Sequence, residues 1–531
     1  MNAEQRPGPI ASIGVVGGGT SGYFAALSLK RAFPAIHVAV IESPDIPIIG
    51  VGEATTTLMP PFLHVELGLD IVELWKAVRP TFKLGIRFEW GLPPDYSFAF
   101  PFGDADPITA AALDGDLTRQ SLISLLMHEQ RGPMVRGPDD QVLSLLGSLK
   151  FAYHLDNAPF VRFLAKAAAD RGIEHVPMTI DEVRLSPDGQ RVTALVGRER
   201  QVSCDFYVDA SGFRSRLMGQ ALGVPFQSYA SSLFCDRAIV ATVPQQGGIA
   251  PYTTAETMNA GWCWNIPVRG ENHRGYVHSS AAISEDEALA ELRAKNPGLG
   301  EPWTVRFRSG RHADFWKGNV VAVGNAYGFV EPLESTALHM VIIELAYLRA
   351  GLERANDPGA LSRSIAYANR NVGGHWDYLR WFLALHYKYN RRLDTPFWQA
   401  ARNEVDTSGF DELVSRVREG GPSLTFEGSR FTHLDPAFGL SGIMTMLVGQ
   451  HFPHGGGPPS AAVREAFEKT HAGHQRVLRW ALPQAECLEI LERDPSHLRD
   501  FATSPRSWCT GPKERMLVPV DADQPARLED G

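Results

Sequence analysis

The sequence predicts a mixed α/β (α+β) fold, and three patterns along the chain support this prediction. Residues 11–42 follow the order strand, glycine turn, helix, strand, which describes a βαβ unit. Residues 230–310 alternate apolar and polar side chains, as antiparallel strands do. Residues 353 to about 500 have mainly helical apolar spacing, interrupted by the glycine-rich stretch 453–460. We therefore expect an N-terminal βαβ unit, a central antiparallel sheet and a helical C-terminal part.

Composition and charge argue against several classes of protein. The chain has 531 residues, enough for more than one domain-sized unit, and its net charge of −9 argues against a nucleic-acid surface. No apolar run reaches the ~18 residues of a transmembrane helix, and the first twelve residues lack the pattern of a secretory signal. The five cysteines are scattered, so neither a disulfide framework nor a cysteine metal site is expected. These features predict a cytoplasmic protein without a membrane span.

The βαβ unit carries a glycine-rich turn between its first strand and its helix. The turn fits the pattern G-x-G-x-x-G, and Glu42 ends the second strand, 20 residues beyond the last glycine. Glycines let backbone N–H groups approach a pyrophosphate at a helix N-terminus, and an acid at that distance can hydrogen-bond a ribose. An acid there disfavours a 2′-phosphate and suits FAD or NAD. The predicted cofactor contacts in the turn are Gly17, Gly19, Thr20, Ser21 and Gly22.

Residues 80–90, PTFKLGIRFEW, form one predicted strand with an unusual lysine. Apolar residues at 82, 84, 86 and 88 alternate with the others, so the strand has one apolar face. Lys83 lies on the other face, next but one to a glycine that leaves space around it. Most strand lysines face water, and the alternative is an amine held for chemistry. The residues of this segment leave both interpretations open.

Two more apolar strands and a tryptophan pair carry further motifs. The strands lead into Val208–Ser215 and Val323–Ala326, and the tryptophans at 262 and 264 share one face of a third strand. Aromatic residues at this spacing usually pack in a core. In combination, however, these segments resemble the flavin-dependent halogenases of the tryptophan halogenase family along nearly the whole chain. The fingerprint residues are Trp262, Trp264, Ile266 and Pro267, and further matching segments are 50–56, 80–90, 328–340 and 393–398.

The resemblance implies a glutathione-reductase-like FAD-binding domain around the Rossmann βαβ unit, together with a mainly helical substrate domain. The predicted FAD module comprises residues 8–60, 145–240 and 305–352, and the substrate module comprises 61–144, 241–304 and 353–515. Residues 516–531 are a predicted flexible tail. The implied FAD contacts outside the glycine turn are Glu42, Ser43, Ala54, Asp209, Gly324, Asn325 and Leu338. Asn325 stands where the family usually has an aspartate.

The resemblance also implies the chemistry. In the family, reduced FAD and O2 give a flavin hydroperoxide that a halide attacks, and the resulting hypohalous acid reaches a lysine that delivers it to an electron-rich aromatic ring. Lys83 matches that lysine and Glu334 matches the catalytic acid. The lysine acts either as a haloamine or as a hydrogen-bond donor, and the sequence does not choose between them. A desolvated lysine has a lowered pKa, which raises its amine fraction.

The halide and the aromatic substrate have their own implied contacts. Thr336 and Ala337 match the halide-binding pair, in which glycine usually takes the second place, and we therefore hypothesise a preference for bromide over chloride. Phe100, Pro101 and Phe102 match residues that enclose the substrate indole. Residues 436–459 contain no Tyr and no Glu, whereas free-tryptophan enzymes use such residues there. This difference favours indole, a similar unfunctionalised aromatic or a larger aromatic substrate.

Alternatives and partners complete the prediction. The alternatives are a flavin-dependent aromatic monooxygenase, a free-tryptophan halogenase and a flavin-binding protein without activity. The chain has one dinucleotide fingerprint, so a separate flavin reductase is expected to supply FADH2. A homodimer stays open. The histidine pairs at 451 and 454 and at 471 and 474 lack a third ligand, so no metal site is predicted.

Overall fold

The computed structural model describes residues 10–46, 52–103, 106–113, 115–137, 139–424 and 438–499, without the side chain of residue 112. The predicted tail 516–531 lies outside the described residues, as do residues 500–515 of the predicted substrate module. Residues 50–51 of the segment 50–56 and residues 436–437 of the segment 436–459 also lie outside them. Within the described ranges, the strands pair into two large sheets and four small ones.

The first large sheet is the parallel sheet that the βαβ pattern predicts. In spatial order its strands are β10 (Glu174–Pro177), β2 (His37–Glu42), β1 (Ser12–Val16), β14 (Phe206–Asp209), β23 (Val320–Ala322) and β22 (Trp316–Lys317). All neighbours are parallel except β22 and β23. Helix α1 (Thr20–Ala32) connects β1 to β2, which confirms the βαβ unit. The carboxyl ends of these parallel strands meet at one edge, where ligands of such sheets bind.

The second large sheet is mainly antiparallel. Its strands in spatial order are β20 (Trp303–Arg306), β16 (Arg237–Pro244), β19 (Glu271–His278), β18 (Gly261–Pro267), β17 (Thr253–Met258), β5 (Gly85–Glu89) and β6 (Phe98–Pro101). The antiparallel sheet predicted for residues 230–310 is therefore confirmed. The sheet also takes in β5, which pairs parallel to β17, and β6.

The single strand predicted over residues 80–90 is wrong. The chain forms β4 (Thr81–Lys83), which pairs with β9 (Ala152–Leu155), and then leaves at Leu84 to enter β5 in the second large sheet. The apolar residues at 82, 84, 86 and 88 are buried as expected, but Lys83 is also fully buried, with 0% of its surface exposed. A chain that passes between two sheets is packed on both sides, so Lys83 has no solvent face.

The small sheets connect the large ones to the helices. They consist of β3 (Glu53–Ala54), β9 and β4; β11 (Glu182–Leu185), β12 (Val192–Val196) and β13 (Gln201–Val202); β15 (Phe226–Ser228), β21 (Gly310–His312) and β24 (Gly328–Phe329); and β25 (Ala481–Pro483), β7 (Arg131–Arg136) and β8 (Val142–Ser144). The sheet that contains β4 lies next to the start of helix α8 (Ala337–Leu352), because Lys83 in β4 contacts Ser335.

The helices lie mainly in the second half of the chain, as predicted. The other helices are α2 (Met59–Pro61), α3 (Ile71–Val78), α4 (Pro107–Leu113), α5 (Leu122–His128), α6 (Asn157–Asp170), α7 (Glu285–Lys295), α9 (Pro358–Tyr389), α10 (Pro396–Glu404), α11 (Asp411–Gly420), α12 (Gly439–Gly449), α13 (Ala461–Leu478) and α14 (Gln484–Arg493). One large apolar core joins both large sheets to α1, α8, α9 and α12. Across the described ranges, no helix is both long enough and apolar enough to span a membrane.

Candidate active site

In the glycine-rich turn between β1 and α1, the backbone passes close to the side chain of Glu42. A Cβ on Gly18 would lie 2.1 Å from the carboxyl carbon of Glu42, and a Cβ on Gly22 would lie 1.9 Å from the carbonyl oxygen of Gly17. Gly17 itself has a φ of +117°, which an L side chain rarely adopts. These positions therefore need glycine for space, and the turn leaves the N-terminus of α1 open to a ligand.

A cavity of ≈ 320 Å³ lies at this edge of the parallel sheet. Its lining includes the predicted cofactor contacts Gly17, Gly19, Thr20, Ser21, Glu42, Ser43, Gly324, Asn325 and Leu338. Glu42 accepts a hydrogen bond from His175 Nε2 at 3.0 Å, which fixes the carboxylate at the cavity wall. Thr20 Oγ1 donates to Asn157 Oδ1 at 3.2 Å, and Asn157 also lines the cavity.

Asp209, a predicted cofactor contact, is the last residue of β14 and precedes the loop that lines the cavity. It is fully buried, and its carboxylate accepts hydrogen bonds from Ser211, Leu217 and Met218. The next residue, Ala210, lines the cavity together with Ser211. Asp209 therefore holds this loop in shape, and the following residues form the wall.

A second cavity, of ≈ 180 Å³, continues from the first. The two share Glu53, Asn325 and Ala337, and the second is also lined by Ala54, Trp264, Ile266 and Ser335. These features fit FAD, which has a polar dinucleotide end and a flat ring system. The glycine turn at a helix N-terminus suits the pyrophosphate, the acid at the end of β2 suits the ribose, and the adjoining apolar chamber suits the ring system. Gly18 supports this fit, because a side chain at this position would collide with the carboxyl group of Glu42 at the cavity wall.

The Lys83 amine is held inside the protein by two acceptors. Its Nζ donates to the carbonyl oxygen of Thr55 at 3.0 Å and to Ser335 Oγ at 2.7 Å, and it lies 5.3 Å from the ring centre of Phe102. Burial lowers the pKa of Lys83 to about 7, although the nearby Glu334 acts in the opposite direction. The amine and the ammonium are therefore both available near neutral pH.

Glu334 lies in the loop that precedes α8, and its charge acts on Lys83. It is 1% exposed, and its Oε1 lies 2.8 Å from His386 Nε2 on α9. Burial raises the pKa of Glu334, while the contact with His386 and the charge of Lys83 oppose that rise. Its second oxygen, Oε2, has no hydrogen-bond partner among the described residues.

The two tryptophans of the predicted pair make different contacts. Trp262 and Trp264 share one face of β18, as predicted, with ring centres 6.0 Å apart. Trp262 Nε1 donates to Glu331 Oε2 at 2.8 Å, and Tyr387 OH donates to the same oxygen. Trp264 instead lines the second cavity. The first tryptophan thus anchors the loop that carries Glu334, and the second shapes the chamber.

Aromatic side chains surround the Lys83 and Glu334 region. The ring of Phe382 lies 6.4 Å from Phe100 and 4.9 Å from His386, and Phe438 lies 5.1 Å from Phe382. Phe102 contacts Lys83, as described above, and Pro101 between Phe100 and Phe102 is buried in β6. The predicted substrate residues therefore belong to a cluster of aromatic and apolar side chains beside Lys83.

Thr336 and Ala337 stand at the beginning of α8. Thr336 is 1% exposed and its Oγ1 has no partner among the described residues, whereas Ala337 lines both cavities. The first N–H groups of a helix lack partners within the helix, and its dipole favours an anion. The pair therefore lies at a helix N-terminus, and Ala337 borders both cavities there.

Sequence reasoning did not identify four of these residues. Thr55, Ser335, Glu331 and His386 contact or support Lys83 and Glu334, but only the folded chain brings them together. Ser335 has a φ of +59°, a strained value for a non-glycine residue. The matching segments 50–56 and 328–340 contain Thr55, Glu331 and Ser335 without giving them a role, whereas His386 lies in no matching segment.

Comparisons with known proteins agree with this geometry. A family model described as tryptophan halogenase matches residues 12–464. The chain is 33% identical over 434 residues to the 7-chloro-L-tryptophan 6-halogenase KtzR of Kutzneria sp. (strain 744), covering 75% of this chain and 83% of that protein. It is similar to the structure of MibH, a lathipeptide tryptophan 5-halogenase, with a TM-score of 0.85, 44% identity and coverage of 94% and 97% of the two chains. BrvH, a flavin-dependent halogenase from Brevundimonas sp. BAL3, gives a TM-score of 0.79, 29% identity and coverage of 90% and 99%. This chain therefore belongs to the tryptophan halogenase family and is a flavin-dependent halogenase.

Proposed function

We propose that this halogenase places halogen on an indole ring carried by a larger molecule, such as a tryptophan residue in a peptide, and that Lys83 and Glu334 act on the reacting atoms. The observation that carries the proposal is the Lys83 amine. It is fully buried, next to the loop of Glu334, and in contact with an aromatic wall. Buried amines of lowered pKa are costly to a fold and are found where chemistry needs them.

The FAD contacts follow from the two cavities. Backbone N–H groups of the turn from Gly17 to Gly22 would hold the pyrophosphate, and Glu42 would accept a hydrogen bond from the ribose. Trp264 and Ala337 would face the ring system in the second cavity. When bound, the reduced flavin with O2 turns a halide ion into hypohalous acid.

The role of Lys83 follows from its enclosure. Hypohalous acid reacts with many groups, so it must be kept from water and aimed at one carbon. Lys83 Nζ is fixed by Thr55 and Ser335, which directs it without leaving it exposed to solvent. Its neutral form can accept halogen, and its protonated form can donate a hydrogen bond to hypohalous acid. A pKa of about 7 makes both forms accessible.

Glu334 would serve the aromatic ring. Attack of electrophilic halogen turns the ring into a cation that must lose a proton before aromaticity returns. A carboxylate oxygen nearby stabilises that cation and can accept the proton. Oε2 of Glu334, which has no hydrogen-bond partner within the described part of the chain, is the oxygen available for this role.

Two observations support an indole within a larger molecule. Helix α12 and the following loop, residues 439–459, contain no Tyr and no Glu that could hold a free amino acid. The chain is also 44% identical to MibH, described as a lathipeptide tryptophan 5-halogenase, with 94% of this chain covered, but 33% identical to KtzR, described as a 7-chloro-L-tryptophan 6-halogenase. A free-tryptophan substrate is the alternative that KtzR favours.

The halide would bind at Thr336 and Ala337. Ala337 carries a methyl group at the position where the family resemblance implies glycine, so we keep bromide preference as part of the proposal. Bromide is also easier to oxidise than chloride. In a competition with equal concentrations of both halides, we expect mostly brominated product, and an excess of chlorinated product would remove this part of the proposal.

The reaction needs a source of reduced flavin. Because one dinucleotide-binding turn serves FAD, a separate flavin reductase would supply FADH2. A cytoplasmic location fits this exchange and stays a prediction, as does a homodimer.

The experiment is an aerobic assay with a flavin reductase, NADH and FAD, read by mass spectrometry. Free L-tryptophan, N-acetyl-tryptophanamide, short tryptophan peptides and indole are offered separately with bromide. We expect a kcat/KM at least roughly tenfold higher for an amide or peptide than for free tryptophan. Lys83→Ala should abolish halogenation, whereas Lys76→Ala, which removes an exposed lysine, should leave it intact. A faster reaction with free tryptophan would contradict the substrate, and a hydroxylated product in Lys83→Ala would indicate a monooxygenase.

A further inference from the structure

The histidine that contacts the candidate catalytic acid Glu334 is not among the site residues predicted from the sequence. His386 lies in the last turn of α9 and is fully buried. Its Nδ1 lies 2.8 Å from the carbonyl oxygen of Phe382, and its Nε2 lies 2.8 Å from Glu334 Oε1. Both ring nitrogens are thus committed to oxygen atoms on opposite sides of the ring.

The two contacts determine where the protons are. A carbonyl oxygen only accepts, so Nδ1 carries a hydrogen and donates it to Phe382. Nε2 then either carries a second proton and donates it to a Glu334 carboxylate, or accepts a proton from a Glu334 carboxylic acid. A carboxylate facing an unprotonated Nε2 would place two acceptors 2.8 Å apart in a buried site, which is unfavourable. One proton therefore lies between the two groups in either arrangement.

We propose that His386 is a positioning residue for Glu334: the two share one proton through Nε2 and Oε1, and this contact presents Oε2 of Glu334 to the reacting atoms. The inference rests on the proposed function, because it assumes that Glu334 acts on the substrate. The pair as a whole carries no net charge, since the shared proton balances the carboxylate.

The neutrality of the pair affects the lysine. A bare carboxylate beside Lys83 would favour its ammonium form, whereas a carboxylate that shares a proton with His386 attracts that ammonium less. In the described part of the chain, the titratable groups beside the pair include Lys83 on β4, Glu331 and Tyr387, and the Glu331 carboxylate accepts from Trp262 and Tyr387. The apolar rings of Phe88 and Phe382 cover the imidazole of His386. A water molecule therefore does not replace His386 or Glu334 as hydrogen-bond partner when one of them is substituted.

The neighbouring residue offers a matched control. Tyr387 follows His386 in α9 and donates to Glu331, the other buried acid of the same loop. Tyr387→Phe removes a hydrogen bond to a buried carboxylate from the same helix turn, but it leaves the contact of Glu334 with His386 in place. Its effect therefore reports the loss of a hydrogen bond to the loop at Glu331 and not at Glu334.

The first test does not depend on activity. In protein labelled with ¹⁵N-histidine, the signals of His386 are assigned with His386→Gln and followed between pH 6 and 9. We expect a protonated Nδ1 throughout and an Nε2 signal typical of a shared proton, which Glu334→Gln should change to that of an ordinary neutral imidazole. An unprotonated Nδ1, or an Nε2 signal that Glu334→Gln does not alter, would overturn the proposal.

The second test uses the halogenation assay. His386→Gln keeps a donor for Glu334 but cannot share a proton, so we expect kcat to fall roughly tenfold or more, with KM changed far less, and the pH profile of kcat to change shape. Tyr387→Phe should keep the shape of that profile. Equal profiles for wild type and His386→Gln would overturn the positioning role. If wild type does not halogenate any indole, the proposed function fails, whereas the labelling experiment still decides whether the proton is shared.

Discussion

Replacing Lys83 with methionine should stabilise the protein at neutral pH while abolishing halogenation. Burial lowers the pKa of Lys83 from 10.5 to about 7. At about 1.4 kcal/mol per pH unit, holding the ammonium in the folded state therefore costs about 5 kcal/mol. Methionine has a similar volume and no charge, so it avoids this cost. It also loses the hydrogen bonds to Thr55 and Ser335, which offsets part of the gain. We expect a net gain of roughly 2 kcal/mol at pH 7.

The pH dependence separates this explanation from simple repacking. The unfolded chain keeps the lysine proton up to pH about 10.5, and the folded chain releases it above pH about 7. Between these values the unfolded state binds more protons, so the free energy of unfolding of the wild type rises with pH. Methionine does not titrate, so it adds no such pH dependence to the free energy of unfolding of Lys83→Met. The advantage of Lys83→Met should therefore shrink by roughly 2 kcal/mol between pH 7 and pH 8.5.

Urea denaturation of both proteins at pH 7, 7.75 and 8.5, followed by tryptophan fluorescence, measures this difference. Lys76→Met, at an exposed position of α3, controls for the loss of a lysine as such. A difference between wild type and Lys83→Met that stays constant over this pH range would refute the reasoning. A Lys83→Met protein that is less stable than wild type at pH 7 would show that the two hydrogen bonds outweigh the cost of burial.

Three further predictions concern the cofactor and the catalytic loop. Gly18→Ala should weaken FAD binding by at least roughly tenfold and lower the melting temperature of the apoprotein, because the new methyl would meet Glu42 at 2.1 Å. Gly19→Ala meets no protein atom within 4 Å, so the apoprotein should melt as wild type does, and any loss of FAD affinity measured by calorimetry then reports the approach of the cofactor. Trp262→Phe should lower the free energy of unfolding by roughly 1–3 kcal/mol, because Glu331 loses a buried hydrogen-bond donor. Trp264→Phe should lower it less, because Trp264 Nε1 donates to no described residue. Equal losses for the two variants would contradict the anchoring role of Trp262. Ser335→Ala should reduce kcat roughly 10- to 100-fold by removing the acceptor 2.7 Å from Lys83 Nζ, with little change in FAD affinity, and an unchanged kcat would show that Thr55 alone orients the amine.

The local features of the site were predictable because they depend on short stretches of sequence. The glycine turn, the acid at the end of β2 and the shared face of the two tryptophans each follow from spacing within one or two elements. Backbone approach distances and strand periodicity are properties of neighbouring residues, so they can be deduced without knowing the rest of the fold. The antiparallel sheet and the helical C-terminal part were predictable for the same reason.

The environment of Lys83 was not predictable from its segment. Periodicity correctly placed apolar residues at alternating positions, but it could not show that the chain changes sheets at Leu84 and becomes packed on both sides. Asp209 was assigned to the cofactor by its motif, whereas its carboxylate is used by the loop itself. The deciding contact of Lys83 comes from Ser335, which is distant in sequence, whereas the contacts of Asp209 come from residues up to nine positions away.

The sequence by itself determined the family, the cofactor-binding turn and the identity of the candidate lysine and acid, because each is encoded in contiguous residues whose spacing has a physical meaning. Only the tertiary structure decided how those groups are charged and aimed. Lys83 meets Ser335 across 252 residues, and Glu334 meets His386 across 52. Burial, hydrogen-bond partners and proton sharing are properties of such distant contacts, and the reactivity of an amine or a carboxyl group depends on all three.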